Sequence, residues 1–325
     1  MENQTLAHSP KETIVHFYDR RYQQGYMEDW DNVKKEKVRE VLKQLELPKM
    51  GKALDFGCGN GIFTNIIKEI LPNWDVYGVD ISPTALSNAK TKFPTCFFLD
   101  EFECLKLKNQ VDFLFTHHVI EHVQNLDETF TTINHYLKPH SYQLHILPCG
   151  NAGSYEHQIC MLKKNGIEKN KGNRFFFEEP GHLRRLSTDE FITLEQKIRF
   201  SIKKEYYSNQ FYGAINWITK SSPKFINRLT NNKDAISHEA AKKLSILRKK
   251  LLSLTLLQFA YTKYLHIKTK WYKAPTDYIK ILIYFIPAIF CRPIYKYIER
   301  KSKKEWHVSQ MKKNGSEMFL FFERQ

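Results

Sequence analysis

Apolar and polar positions alternate along this chain with two periods, one close to four residues and one close to two. Between 31 and 47, Val38, Val41, Leu42 and Leu45 recur at helical spacing and Pro48 closes the run, which predicts an ordinary packing helix. Residues 52–56 read as a short buried strand running into Gly57, Gly59 and Gly61, after which 62–70 resume the helical pattern until Pro72 and Asn73 stop it. Further strands are predicted over 75–79, 96–99, 111–116 and 142–147, with helices over 83–93 and 126–137 between them. Strands that alternate with short helices imply βαβ units and a parallel sheet, whose right-handed crossovers bring the strand ends to one edge. Residues 150–185 are polar and loop-rich, a helix starts over 188–195, and 198–207 form a sixth strand. Met318, Phe319, Leu320, Phe321 and Phe322 follow an Asn314-Gly315 turn signal, so 315–324 form a last one.

The predicted fold class is therefore α/β: a Rossmann-like, seven-stranded, mostly parallel sheet with helices on both faces and a helical insertion before the last strand. The expected organisation is an N-terminal helical cap over 1–50, a core over 51–216, the insertion over 217–313 and a final core strand over 314–325. A chain of 325 residues with 42% hydrophobic content is long enough to bury a full core. Six cysteines, at 58, 96, 104, 149, 160 and 291, show no C-x-x-C spacing, and the first 18 residues lack an apolar leader; both point to free thiols in a reducing cytoplasm. The net charge of +15 is confined to one third of the chain. Residues 217–325 hold 23 Lys+Arg against 7 Asp+Glu, whereas residues 1–216 are almost neutral.

The most informative stretch is Ala53-Leu54-Asp55-Phe56-Gly57-Cys58-Gly59-Asn60-Gly61. A strand that turns tightly into a helix needs positive φ or a missing Cβ, and so does a ligand lying against that backbone. Asp55 can accept a hydrogen bond from a cationic amine above it, and Asp80, at the end of the second strand, is placed to accept both hydroxyls of a ribose. Three glycines here are also what a plain packing turn uses. The G-x-G-x-G spacing suits a ligand carrying an amino acid better than one carrying a pyrophosphate.

With these residues the sequence resembles the class I S-adenosylmethionine-dependent methyltransferases, within the broad type 11 and 12 group, over residues 50 to 150 and more loosely from Gly181 to Tyr207. The resemblance implies S-adenosyl-L-methionine as cofactor. "LDFGCGNG" resembles the first motif, which implies that Asp55, Gly57, Cys58, Gly59 and Gly61 hold the methionine end. "VYGVDIS" resembles the second, with Asp80 on the ribose and Ile81 against the adenine; "FFLDEFECL" resembles the third, whose acid is Asp100 in one alignment and Glu101 in another. "VDFLFTHHVIEHV" resembles the fourth, placing Thr116 and His117 along the methyl-transfer site.

Methyl transfer from a sulfonium needs mostly alignment, plus removal of a proton when the nucleophile is a hydroxyl. Histidine suits that role near neutral pH, and the candidates are His117, His118 and His182, with His157 a further one. Each of them is equally readable as a packing or surface histidine. Glu121 and His122 are expected to tie the strand end to its helix. His118-Val119-Ile120-Glu121-His122 also matches the zinc-peptidase string H-x-x-E-H, yet it falls where a strand ends and not within a long helix, so no metal site is assigned.

The insertion carries 22 Lys+Arg against 5 Asp+Glu, interleaved with apolar runs. Its longest run, 278–295, is interrupted by Lys280 and Pro287, which suits contact with an anionic membrane surface through 236–304 better than a span; a helical lid with a solvated basic face is the plainer reading. The expected function is O-methylation of a small amphipathic, lipid-like or glycan-precursor acceptor by a cytoplasmic enzyme, peripheral on the inner face of a membrane. The alternatives are a nucleic-acid methyltransferase that uses the insertion as its electrostatic footprint, and a non-catalytic scaffold. No RNA-binding module accompanies the basic stretch, which disfavours a nucleic-acid partner.

Overall fold

The computed structural model describes residues 10–269 and 273–325, so parts of the expected cap (1–9) and of the insertion (270–272) lie outside the described residues. In chain order the elements begin with α1 (Pro10–Gln23), α2 (Asn32–Lys43), β1 (Lys52–Phe56), α3 (Ile62–Ile70), β2 (Asp75–Val79), α4 (Pro83–Lys92) and β3 (Phe97–Leu99). They continue with α5 (Glu101–Cys104), β4 (Val111–His117), α6 (Leu126–Tyr136), β5 (Leu137–Pro148), α7 (Tyr155–Cys160), β6 (Ile167–Glu168) and β7 (Arg174–Phe175). The last are α8 (Thr188–Lys197), β8 (Phe200–Ser208), α9 (Tyr212–Thr219), α10 (Pro223–Leu229), α11 (His238–Thr269), α12 (Pro275–Ser309) and β9 (Glu317–Arg324).

Local chemistry fixes the helix starts. Asp31 accepts from the Val33 N–H to cap α2, and Ser82 accepts from the Ala85 N–H to cap α4, where Pro83 fills a first-turn position that needs no donor. The main sheet has the seven strands that the sequence pattern predicts; they run in the order β3-β2-β1-β4-β5-β9-β8, and the first five pair in parallel. The order reverses between β1 and β4. That is the switch point where open α/β sheets leave a crevice at the carboxyl ends of their strands.

Three segments differ from expectation. β5 is longer than 142–147 because Leu137 already pairs with Val111; the register then slips until Tyr142 meets Phe113. Pro139, which has no N–H for a ladder, sits in that slip, and the Lys138 ammonium fills it by contacting the Asp112 carboxylate at 2.8 Å. Helix α1 carries no clean apolar stripe in its sequence and is not predicted. Residues 150–185, expected as loop, contain α7 and the small β6–β7 hairpin.

The chain divides into two compact units. The first, residues 1–147, 191–204 and 319–325, contains the sheet. The second, residues 148–190 and 205–318, is larger than the expected insertion because 148–190 fold with it. Ile159, Phe175 and Phe177 join Ile218, Leu229 and Leu244 in its apolar core. Beside them the buried Arg185 guanidinium stacks on Phe175, pairs with Glu156 and Glu178, and donates to the carbonyls of Cys149 and Ser316, so four N–H groups of a buried cation are answered, two of them by carboxylates.

Candidate active site

The first unit builds its site on the turn after β1. Gly57, Gly59 and Gly61 have φ of 79°, 52° and 77°, the left-handed region that only glycine enters without strain. The Gly57 and Cys58 amides are pinned to the Val79 carbonyl, at 2.8 and 2.9 Å, which holds the turn against the end of β2. A Cβ on Gly57 would fall 2.5 Å from the Val119 side chain and one on Gly59 2.7 Å from the Tyr22 hydroxyl, so neither position can take another residue without displacing a neighbour.

Two carboxyls face this turn. Asp55 is only 1% exposed and accepts from the Thr64 hydroxyl at 2.6 Å; Asp80 accepts from the Gly59 amide at 2.8 Å and the Ser82 amide at 2.9 Å. Burial, together with the charge of Asp80, pushes Asp55 up to about 7 against the relief given by Thr64. Burial likewise pushes Asp80 up, against relief from the Ser82, Gly59 and Ile81 amides. Hydrogen bonds alone oppose the desolvation of this pair. A ligand bearing positive charge would complete the electrostatics, and an ammonium and a sulfonium are the two cations of S-adenosylmethionine, so the donor set fits that cofactor.

At the end of β4, His117 packs its ring 4.0 Å from Phe63 and 4.5 Å from Trp30, centroid to centroid. Burial, and then the neighbouring His118, hold it well below the usual imidazole range, so it is neutral at pH 7, and its buried Nε2 has no hydrogen-bond partner among the described residues. His118 adopts φ of 54°, an uncommon conformation for a side-chain-bearing residue, and its Nδ1 lies 2.9 Å from a carboxylate oxygen of buried Glu121. Residues 118–122 form a bend and a turn, not a helix, so the H-x-x-E-H string lacks the scaffold of a zinc peptidase. His122 meets the Tyr18 hydroxyl at 2.9 Å through Nδ1.

Of the expected site residues, Asp55, Gly57, Cys58, Gly59, Gly61, Asp80, Ile81, His117 and His118 come together at the carboxyl edge of β1, β2 and β4. Thr116 does not join them. Strand alternation turns its hydroxyl to the other face, where it bonds His145 at 2.8 Å. Asp100 caps α5 by accepting from the Glu103 amide, and Glu101 lies exposed on the same turn. His182 belongs to the second unit, beside Glu178 and Glu179, and His157 sits there on α7. Sequence reading missed the N-terminal contribution. Asp19 accepts from the Ser82 hydroxyl (2.7 Å) and the Thr84 amide (2.9 Å), Tyr22 lies against Gly59, and Trp30 walls in His117. The density of aromatics and acids between 17 and 30 was the available signal.

The family model described as a methyltransferase domain matches residues 18–198, more than half of the chain. The chain belongs to that family, the class I S-adenosylmethionine-dependent methyltransferases. Among curated relatives, malonyl-(acyl-carrier protein) O-methyltransferase 2 of Coxiella burnetii is 25% identical over 139 residues, covering 41% of this chain and 55% of the relative. Trans-aconitate 2-methyltransferase of Rhodopseudomonas palustris is 36% identical over 63 residues, covering 19% and 25%. The chain thus spans about half or less of the length of the curated relatives it matches. Among solved structures, the cyclopropane synthase MmaA2 of Mycobacterium tuberculosis aligns with TM-score 0.45 at 14% identity, over 89% of this chain and 83% of that one.

Proposed function

We propose that this protein transfers a methyl group from S-adenosylmethionine to an oxygen of a small amphipathic acceptor, lipid-like or a glycan precursor, in the cytoplasm at the inner face of a membrane. The observation that carries the reading is a pair of carboxyls raised by desolvation, buried Asp55 and half-buried Asp80, at a glycine turn that adjoins a shielded histidine pair. Relatives whose names give malonyl and aconitate acceptors support an oxygen nucleophile on a small, acidic molecule. Six cysteines, all unpaired and buried, accord with a reducing compartment.

The cofactor supplies an electrophilic methyl group on a sulfonium. Asp80 and the amides around Gly59 bind and orient the donor, and Asp55 answers its positive charge. Trp30, Phe63 and neutral His117 exclude water beside the end of β4. His118, with its Nδ1 proton held by Glu121, keeps its lone pair on Nε2, which takes the acceptor's hydroxyl proton as that oxygen is methylated and later returns it to water. A carboxylate acceptor would arrive deprotonated and leave His118 only an orienting role.

Calorimetry of S-adenosylmethionine binding tests the first half: Gly59→Arg abolishes it and Asp80→Ala weakens it at least tenfold, about 1.4 kcal/mol. Unchanged affinity in both would sink the cofactor site. Labelled methyl transfer into a lysate split into lipid, glycan, RNA and protein fractions identifies the acceptor. With that acceptor in hand, His118→Gln lowers kcat by about 10²- to 10⁴-fold for a hydroxyl while donor affinity stays put; a loss below threefold assigns the acceptor to the carboxylates.

A further inference from the structure

Within the second unit, α11 and α12 are each other's most extensive neighbours. Along α12 the buried positions Asp277, Ala288, Cys291, Tyr295, Ile298 and Ser302 follow the three-and-four spacing of a coiled-coil seam, and α11 and α9 are the helices that pack on α12. Between Lys280 and Arg292 the other faces of the same helix carry no charge. Ile279, Leu282, Ile283, Ile286, Ile289 and Phe290 are each 52–72% exposed, and Leu256 and Phe259 of α11 add to them. An apolar surface of this extent marks a contact.

The hairpin is held at one end. Glu305 accepts from the amides of Phe211, Tyr212 and Gly213 at the start of α9, Tyr295 meets the Thr219 hydroxyl, and the Gln210 amide donates to the Ser309 carbonyl. All of these lie at or beyond Tyr295, whereas the exposed apolar residues lie before it. Charge says what covers them. Residues 240–298 hold twelve Lys and Arg and one acid, Asp277, which is buried. Lys280, Arg292 and Lys296 stand exposed among the apolar side chains, with Lys263 and Lys268 on α11. A second copy of the chain would bring these cations against one another; an anionic lipid surface answers both the charge and the apolar face.

α12 is long and apolar enough to cross a membrane by composition. Its uncharged stretch between Lys280 and Arg292 is nevertheless only eleven residues, or about 16 Å of helix, half of a hydrocarbon core of about 30 Å. We propose that the α11–α12 hairpin is a membrane-docking element that lies in the interface of an anionic bilayer, with the 279–290 face of α12 among the acyl chains and the flanking cations on lipid phosphates. This stands on the hairpin alone and is independent of the methyl-transfer reading.

Sedimentation with vesicles of phosphatidylcholine containing 30% phosphatidylglycerol tests it on the full chain. The wild type pellets with these vesicles and much less with pure phosphatidylcholine, and a Trp at position 290 (Phe290→Trp) shifts its emission to the blue on mixing. Ile283→Glu combined with Ile286→Glu lowers partitioning at least tenfold while circular dichroism and melting stay native. Should that variant misfold, Lys280→Gln with Arg292→Gln serves instead, losing about fivefold per cation. Equal pelleting of wild type and variants overturns the proposal, as does binding indifferent to lipid charge. A lipid-free dimer that the Ile→Glu pair dissociates, with no vesicle binding, would make the face an interface between copies.

Discussion

Asp55 is the residue whose chemistry is most out of balance in the cofactor-free protein. Its carboxyl is pushed up to about 7 by burial and by Asp80, whereas an unfolded aspartate titrates near its ordinary value of 3.8. Binding a cation favours the carboxylate, so below about pH 7 the donor must drive off a proton to bind. The sign follows directly: S-adenosylmethionine affinity falls as pH drops below 7, by up to tenfold per unit, and binding releases about half a proton at pH 7 and close to one proton a unit or more below it. Calorimetry in two buffers of different ionisation enthalpy measures that proton, and Asp55→Asn removes both effects. At this scale the sequence was highly legible. Glycines of positive φ and acids at strand ends announce themselves through local pattern, whereas Tyr22 reaches the turn at Gly59 and Trp30 reaches His117 only by tertiary folding between residues far apart in the chain, which no local period encodes.

At the scale of elements, the wrong face assigned to Thr116 exposes a buried polar network that joins β4, β5 and α8. The Thr116 hydroxyl meets His145 Nδ1, His145 Nε2 lies 2.9 Å from a Glu195 carboxylate oxygen, and the Gln143 amide donates to the other oxygen at 2.8 Å; Glu195, His145 and Gln143 are wholly buried. Removing the acid strands the Gln143 amide donor in the core at about 1–3 kcal/mol, whereas His145 Nε2 keeps Gln143 Oε1 at 3.0 Å. Glu195→Ala is therefore expected to lower the denaturant midpoint of the first unit by the equivalent of about 1–3 kcal/mol, without altering donor affinity more than its loss of folded protein explains. Strand existence was readable from the apolar runs, and the period of two fixes which residues share a face; what the pattern lacks is the phase. A strand buried on both sides, such as Val111–His117, gives no polar alternation to set it.

For the whole molecule, the chain leaves the first unit after 147, returns for 191–204, leaves again and comes back at 319. The final apolar run was legible as a strand, and so was the helical insertion before it. The joining of 148–190 to that insertion was not, because its basis is Arg185 and the packing of Phe175 and Phe177, contacts made far from their own neighbours in sequence. Since β9 lies between β5 and β8, truncation after residue 314 is expected to abolish cooperative melting of the first unit and its donor binding, while 217–313 retain their helicity by circular dichroism.

That central placement of β9 also sets a timetable. During synthesis at about 5–20 residues per second, the ribosome needs roughly 5–20 s after β8 to produce the strand that separates β8 from β5. Throughout that interval the edge of β5 is unpaired and the helices of α11 and α12 emerge with their apolar faces bare. A nascent chain in this state is a client for chaperones, and if the hairpin meets a bilayer at once, the membrane receives the protein before its catalytic half is finished.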